Sequence, residues 1–217
     1  MSKKKVIAFD LETIADKTML TMLPEVKANG RLKDPTKIAA DIKEKQEKQK
    51  EEMGLSPMLN MICCAGWCDE NGVGSIMLEN ESPEAEKKLL LKFWEVLGDY
   101  DHFITFNGRS FDMRCMLLHG MSYGIRPSVN IDKGKYNKGN HTDLRGILAG
   151  EGQFAKGKME FFAQKYLGYG KTEDIDGAQV QSYWDMGLTE DIAKYCEEDC
   201  MITLDLYKMA EIAGMLE

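Results

Sequence analysis

The chain has 217 residues, 43% hydrophobic and 29% charged, which gives room for one domain with a real core and excludes a disordered tail or a long repeat array. Lys and Arg number 28 against 36 Asp and Glu, a net charge of -8. That balance excludes a protein that coats nucleic acid with a broad basic surface, and leaves open an enzyme with a short contact.

The basic start through Lys5 is followed by an apolar run, Val6 to Phe9, that stops at Asp10. This run is too short for a signal sequence, and no window approaches the ~18 apolar residues that span a bilayer, so a cytoplasmic location without membrane contact is expected. The same run predicts a first strand with Asp10-Leu11-Glu12 at its end. A charged stretch from about Asp16 to Gly54 reads as an insertion. Within it Asp34-Pro35 predicts a helix cap with Pro at the first position, and seven positive against six negative residues between Arg31 and Glu52 predict a solvated face. A packing helix is the preferred reading of the insertion, with screening of the site or contact with a partner as the alternative.

Met61 to Cys68 and Val73 to Leu78, joined through Asn71-Gly72, predict a hairpin, because Asn-Gly tolerates positive φ. With the first strand they make an antiparallel meander. Ser82-Pro83 caps a helix with Leu89, Leu90, Phe93, Trp94 and Leu97 on one side, ended by Gly98. His102 to Phe106 is a fourth strand, Ser110 opens a helix, and His141 to Leu144 holds a short last strand. Residues 130 to 140 and 146 to 157 read as loops, a helix covers about Lys158 to Leu167, and Thr189 caps the last long helix. The fold class is α/β: a mixed sheet of about five strands, the first three antiparallel, with helices on its faces.

Asp10 and Glu12 are two apart on a strand, so both side chains point to one face. Asp112 begins a helix after an apolar strand, and Tyr195 and Asp199 are four apart on one helical face. Carboxylates about 5 Å apart repel by on the order of 3 kcal/mol at an effective dielectric near 20. Hard cations such as Mg²⁺ relieve that repulsion and also take phosphate oxygens as ligands, and two of them can stabilise the attacking and leaving oxygens of a phosphodiester displacement.

Phe9-Asp-Leu-Glu-Thr13, Phe106-Asn-Gly-Arg-Ser-Phe-Asp112 and Tyr195-Cys-Glu-Glu-Asp199 together resemble the three motifs of the DEDD superfamily of 3′-5′ exonucleases, on the ribonuclease H-like fold. The chain is similar to predicted stand-alone exonucleases related to the proofreading domain of family B DNA polymerases. Ile175-Asp-Gly-Ala-Gln-Val-Gln181 also looks like that group. The resemblance implies a single exonuclease domain over residues 1 to 217 with an insertion at about 16 to 54, and two Mg²⁺ or Mn²⁺ ions held by Asp10, Glu12, Asp112 and Asp199. It implies that Asp10 bridges both ions and that Tyr195 holds the nucleophilic water, as in the tyrosine subclass. Lys194 stands where the histidine subclass has its base. Leu11 and Thr13 are implied to approach the terminal nucleotide, and Asn107 and Phe111 to border the scissile end. No polymerase motifs follow, so proofreading within the same chain is not expected.

The substrate expected is the 3′ end of single-stranded nucleic acid, DNA favoured over RNA, with a replication or repair protein as a candidate partner. An exoribonuclease and a non-catalytic module that binds a nucleic-acid end or a replication protein are the alternatives. Lys133, Lys135, Lys138, Arg145, Lys156 and Lys158 against Asp132, Asp143 and Glu151 suggest a phosphate-binding rim with Tyr136 stacking on a base; a solvated loop reads equally well. The six Cys are expected to be buried reduced thiols. Cys196 and Cys200 lie beside the catalytic face without a His or Cys pair to complete a metal site.

Overall fold

The computed structural model describes residues 4–134, 139–150, 157–171 and 175–216. Strand β1 (Val6–Ala15) pairs antiparallel with β2 (Asn60–Cys68), which pairs antiparallel with β3 (Val73–Met77). On its other edge β1 pairs parallel with β4 (His102–Thr105), and β4 with β5 (His141–Asp143). The result is one mixed sheet of five strands in the order β3-β2-β1-β4-β5, antiparallel in its first three strands as expected. Strand β1 runs past the acidic pair, because pairing with β2 continues to Ala15↔Asn60 beyond a register shift between Glu12 and Thr13. Asp10 and Glu12 therefore lie inside the strand and not at its end.

The hairpin forms as Asn71-Gly72 suggested, with positive φ at Gly72 (158°) but not at Asn71. The Asp69 carboxylate also holds the turn, accepting from Asn71 N at 2.8 Å and Gly72 N at 3.0 Å, an Asx-type closure. Helix α1 (Pro35–Gly54) is capped by Asp34, which accepts from Thr36 N and Lys37 N, and buries only Met53 and Gly54. Its end is tied to the sheet: Thr13 Oγ1 donates to Gly54 O at 2.7 Å, and Asn60 Nδ2 donates to the same oxygen at 3.0 Å. Helix α2 (Pro83–Leu97) is capped by Ser82 and buries Leu89, Leu90, Phe93, Trp94 and Leu97 as its spacing predicted. Helix α3 (Asp112–Tyr123) starts two residues later than Ser110, because the Ser110 hydroxyl is engaged in the preceding turn with Asn107.

Residues 144 to 149 form a short helix, α4 (Leu144–Ala149), which takes in Leu144, expected in the last strand, and the start of the 146–157 segment, expected as a loop; Asp143 caps it by accepting from Arg145 N. The expected 158–167 helix is divided into α5 (Met159–Phe162) and a π-helical turn, Ala163–Leu167, that ends at Gly168 with φ 77°. After a 3₁₀ turn closed by a capping box from Asp176, α6 (Val180–Asp185) leads to α7 (Thr189–Ile212). The α7 cap position is Leu188, which makes no side-chain cap bond, and Thr189 is already helical.

The core has two layers, one on each face of the sheet. Ile7, Phe9 and Leu11 pack with Leu90, Phe93 and Met116, whereas Ala8 packs with Ile104, Phe162, Cys200 and Leu204. Alternation then sends Asp10 and Glu12 to the face of Ala8, the one crossed by α7. No helix among the described residues is long and apolar enough to cross a membrane.

Candidate active site

On the α7 face of β1, one carboxylate oxygen each of Asp10 and Glu12 and the Cys196 sulfur lie within 4.8 Å of one another. Asp112 joins from the first turn of α3: its Oδ1 accepts from Leu11 N, the amide between the two acidic residues, at 3.0 Å. The loop before α3 is built for that approach. Asn107 adopts φ 71°, a conformation Asn tolerates better than most residues. The Asp143 carboxylate accepts from Asn107 N at 2.8 Å, Arg109 N at 3.1 Å and Arg145 N at 3.1 Å. A Cβ on Gly108 would stand 2.5 Å from Thr105 Cβ, so only glycine fits there.

Helix α7 supplies Tyr195 and Asp199, 5% and 6% exposed. The Lys171 ammonium stands 2.7 Å from one Asp199 carboxylate oxygen and 2.8 Å from the other, and lies 3.9 Å from the centroid of the Tyr195 ring. Sequence patterning gave no sign of Lys171, because it sits in an irregular segment after Gly168-Tyr-Gly170 with no periodicity to place it.

Burial and mutual repulsion dominate the electrostatics. Burial, then Asp112, Cys196, Glu12 and Asp199, hold Asp10 well above the usual carboxylate range. Burial, Cys196 and Asp199 raise Glu12, with Lys171 opposing. Burial lifts Asp112 to about 7 against its backbone hydrogen bonds, and lifts Asp199 to about 6 against the pull of Lys171. Burial, Glu12 and Asp199 push the Tyr195 phenol up, so it keeps its proton at neutral pH. The Cys200 and Cys64 thiols, hydrogen-bonded to Cys196, hold its thiol below the usual range. All six cysteines are buried and free, as expected.

The cluster opens onto a cleft of about 1050 Å³ lined by Asp10, Asn107, Arg145, Lys158, Lys171, Tyr195 and Asp199 among others. Of the four residues implied to border the substrate, Asn107 lines this cleft. Leu11 is buried in the core with its amide on Asp112, Thr13 is bonded to the end of α1, and Phe111 packs against the α2–α3 layer. Arg145 reaches Asn107, its Nη1 donating to Oδ1 at 3.2 Å. Of the suggested basic rim, Lys158 lies at the cleft but is paired with Asp176 at 2.7 Å, and Lys133 lines a separate cavity beside Trp94. Lys135, Tyr136, Lys138, Glu151 and Lys156 lie outside the described residues.

The donor set fits hard divalent cations: the buried carboxylates of Glu12, Asp112 and Asp199 and the half-buried Asp10 gather around one ammonium, Lys171, which is itself paired with Asp199. Glu12 is only 6% exposed, and burial with Cys196 and Asp199 nearby holds it well above the usual carboxylate range. A buried carboxylate is costly unless it is protonated, hydrogen-bonded or bound to a cation.

The chain is similar to known proteins in sequence and in fold. Curated relatives include DNA polymerase 1 of Sulfurisphaera ohwakuensis, 28% identical over 139 residues, and DNA polymerase 1 of Saccharolobus solfataricus, 29% identical over 150 residues. These matches cover 58% and 61% of this chain but only 15% and 16% of the polymerases. Among solved structures, the family B DNA polymerase of Pyrobaculum calidifontis superposes with a TM-score of 0.65 at 15% identity, over 96% of this chain and 24% of that one. The shared fold is of the expected ribonuclease H-like type. Residues 58–217 match a family model described as "Predicted 3'-5' exonuclease related to the exonuclease domain of PolB", and the chain belongs to that family.

Proposed function

We propose that the chain is a metal-dependent exonuclease of the tyrosine subclass that removes nucleotides from the 3′ end of single-stranded nucleic acid, DNA in preference to RNA. The observation that carries this reading is the convergence of Asp10, Glu12, Asp112, Asp199 and Tyr195 at one end of the cleft. The four carboxylates would hold two Mg²⁺ or Mn²⁺ ions, which when bound lower the pKa of water and stabilise charge on the attacking and leaving oxygens. Tyr195, neutral because its phenol is pushed up, orients the attacking water through its hydroxyl. Asn107 and Arg145, bonded to each other on the cleft wall, contact the terminal nucleotide and its phosphate. Water adds to phosphorus, the bond to the 3′ oxygen breaks, and a nucleoside 5′-monophosphate leaves.

The test is digestion of 3′- and 5′-labelled DNA and RNA strands, single and double, with Mg²⁺, with Mn²⁺ or with chelator. Metal-dependent shortening from the 3′ end is expected, with loss to background in Asp10→Ala and Asp199→Ala while the fold persists. Full activity in both variants would sink the reading.

A further inference from the structure

Residues 157–171 form one wall of the cleft through Met159, Glu160 and Gln164, and the same segment carries a run of touching aromatic rings. Phe106, on the cleft wall, lies 6.0 Å from Phe162, centroid to centroid. Phe162 in turn meets Phe161 edge-on at 5.5 Å and Tyr166 in near-parallel stacking at 6.3 Å. Phe162 is buried in the core layer with Ala8, Ile104 and Leu204, so the two outer rings rest on a fixed base. Those outer rings are open to solvent: Phe161 is 57% exposed and Tyr166 48%. A single exposed aromatic calls for no explanation, whereas a contiguous patch marks an interaction surface. Lys165 indicates what the surface takes. Its ammonium lies 5.9 Å from the Phe161 centroid and 5.1 Å from that of Tyr166, with no carboxylate partner among the described residues. Ring faces beside an unpaired cation suit a ligand that alternates flat bases with negative phosphates. An apolar peptide or a second copy of the chain would bury that ammonium unpaired, which is costly.

We propose that Phe161, Tyr166 and Lys165 form a stacking platform for the single strand of nucleic acid that leads into the cleft. The two rings take bases 5′ of the terminal nucleotide, and the ammonium takes a phosphate of the same strand. The inference rests on the reading of the cleft as the site of the 3′ end. A platform of this kind gives a preference for single strands a physical source, because bases stacked and paired in a duplex have no free face to offer. It reads no sequence, since every base has a π-face. Stacking also lets a chain of net charge -8 hold a polyanion with few cations.

The test measures binding of a 5′-labelled single-stranded DNA of about 12 nucleotides by fluorescence anisotropy, on the full chain with Ca²⁺ in place of Mg²⁺. Phe161→Ala and Tyr166→Ala should each weaken binding by about 5- to 150-fold, the range for one stacked base. Phe161→Trp and Tyr166→Phe keep a ring and should keep the affinity, whereas Phe161→Leu, apolar but without a stacking face, should lose it. Lys165→Gln should flatten the slope of log K against log salt by about 0.7. With Mn²⁺, the KM advantage of the long strand over a dinucleotide should shrink in Phe161→Ala. Alanine variants that bind as tightly as wild type overturn the proposal, as does a wild type that binds no single strand. A wild-type dimer in sedimentation that Phe161→Ala dissolves also overturns it, by assigning the face to a second copy. Metal-dependent shortening from the 3′ end with unchanged binding in the alanine variants refutes the platform and leaves the exonuclease reading standing. Ring-dependent binding without any shortening supports the platform and refutes that reading.

Discussion

Lys171 bridges both carboxylate oxygens of Asp199, at 2.7 and 2.8 Å, while its ammonium lies 3.9 Å from the Tyr195 ring centroid. One cation thus binds together the two α7 residues of the candidate site. Removing it leaves Asp199 buried beside Asp10 and Glu12 with no positive partner among the described residues. Lys171→Met should lower the stability of the metal-free protein by roughly 2 kcal/mol, less than the ~3–5 kcal/mol typical of a fully buried pair. The smaller figure follows from the 15% exposure of the Lys171 side chain and from the option of Asp199 to take up a proton. Urea denaturation with chelator measures it, and an unchanged midpoint would show that the pair contributes nothing.

The raised carboxylates tie metal binding to pH. Asp112 at about 7 and Asp199 at about 6 stand above the ordinary 3.8. Each therefore holds a proton in the folded state that the unfolded chain has released. The stability they contribute is present below that ordinary value and is lost as pH rises through 6 to 7. Buried His141, held down to about 4 from 6.5, works in the opposite direction over the lower part of this window. The difference made by saturating Mn²⁺ cancels His141 and isolates the cluster, since metal needs the ionised carboxylates. The rise in Tm on adding Mn²⁺ should be small near about pH 5 and should level off by about pH 8. A rise independent of pH would place the metal elsewhere.

Asp143 gathers three backbone amides, from Asn107, Arg109 and Arg145. It fixes the loop that aims Asn107 into the cleft and delivers Asp112 to β1. Asp143→Ala should destabilise the fold by about 2–4 kcal/mol, because amides in a half-buried loop lose their acceptor. Asp143→Asn, which keeps one acceptor oxygen, should lose less. In exonuclease assays the Asn variant should act mainly through KM, as expected when a substrate-positioning loop loosens without change to the ligands. An Asn variant that changes kcat alone would contradict this assignment.

The β-branched and aromatic runs and the helix caps at Asp34 and Ser82 were legible because those signals are local. The convergence of Asp10, Glu12, Asp112, Tyr195 and Asp199 was legible only as an ordered set of motifs, each weak by itself. Lys171, the acceptor role of Asp143 and the neighbours of Cys196 were hidden for a shared physical reason. Lys171 meets Asp199 28 residues away, Asp143 meets Asn107 36 residues away, and Cys196 meets Asp10 186 residues away, and nothing in the spacing encodes these meetings. The length of β1 was missed because pairing with β2 extends it, and the hairpin was legible from Asn71-Gly72, although the closing role of the Asp69 carboxylate was not.

Gly66 joins the fold to the chemistry and offers the most direct structural test. It pairs with Asp10 across β1 and β2, and a Cβ there would meet the Cys196 sulfur at 2.7 Å, the Cys200 sulfur at 3.2 Å and the Cys196 backbone carbon at 3.3 Å. Two of these atoms are side-chain sulfurs confined by close packing and the third is helix backbone, so relief requires α7 to move off the sheet. Overpacking of this kind costs about 1–3 kcal/mol. Tyr195 and Asp199 ride on the same helix, so Gly66→Ala should also separate them from Asp10 and Glu12 by a few tenths of an ångström. Misplacement on that scale lowers turnover sharply when catalysis depends on alignment. Chemical denaturation and steady-state assay of this variant should therefore show a modest loss of stability with a disproportionate loss of kcat. Adding Cys196→Ala should restore both in part, by removing the nearest sulfur. A double variant no better than Gly66→Ala would show that the sulfur contact is not what sets the distance between α7 and the sheet.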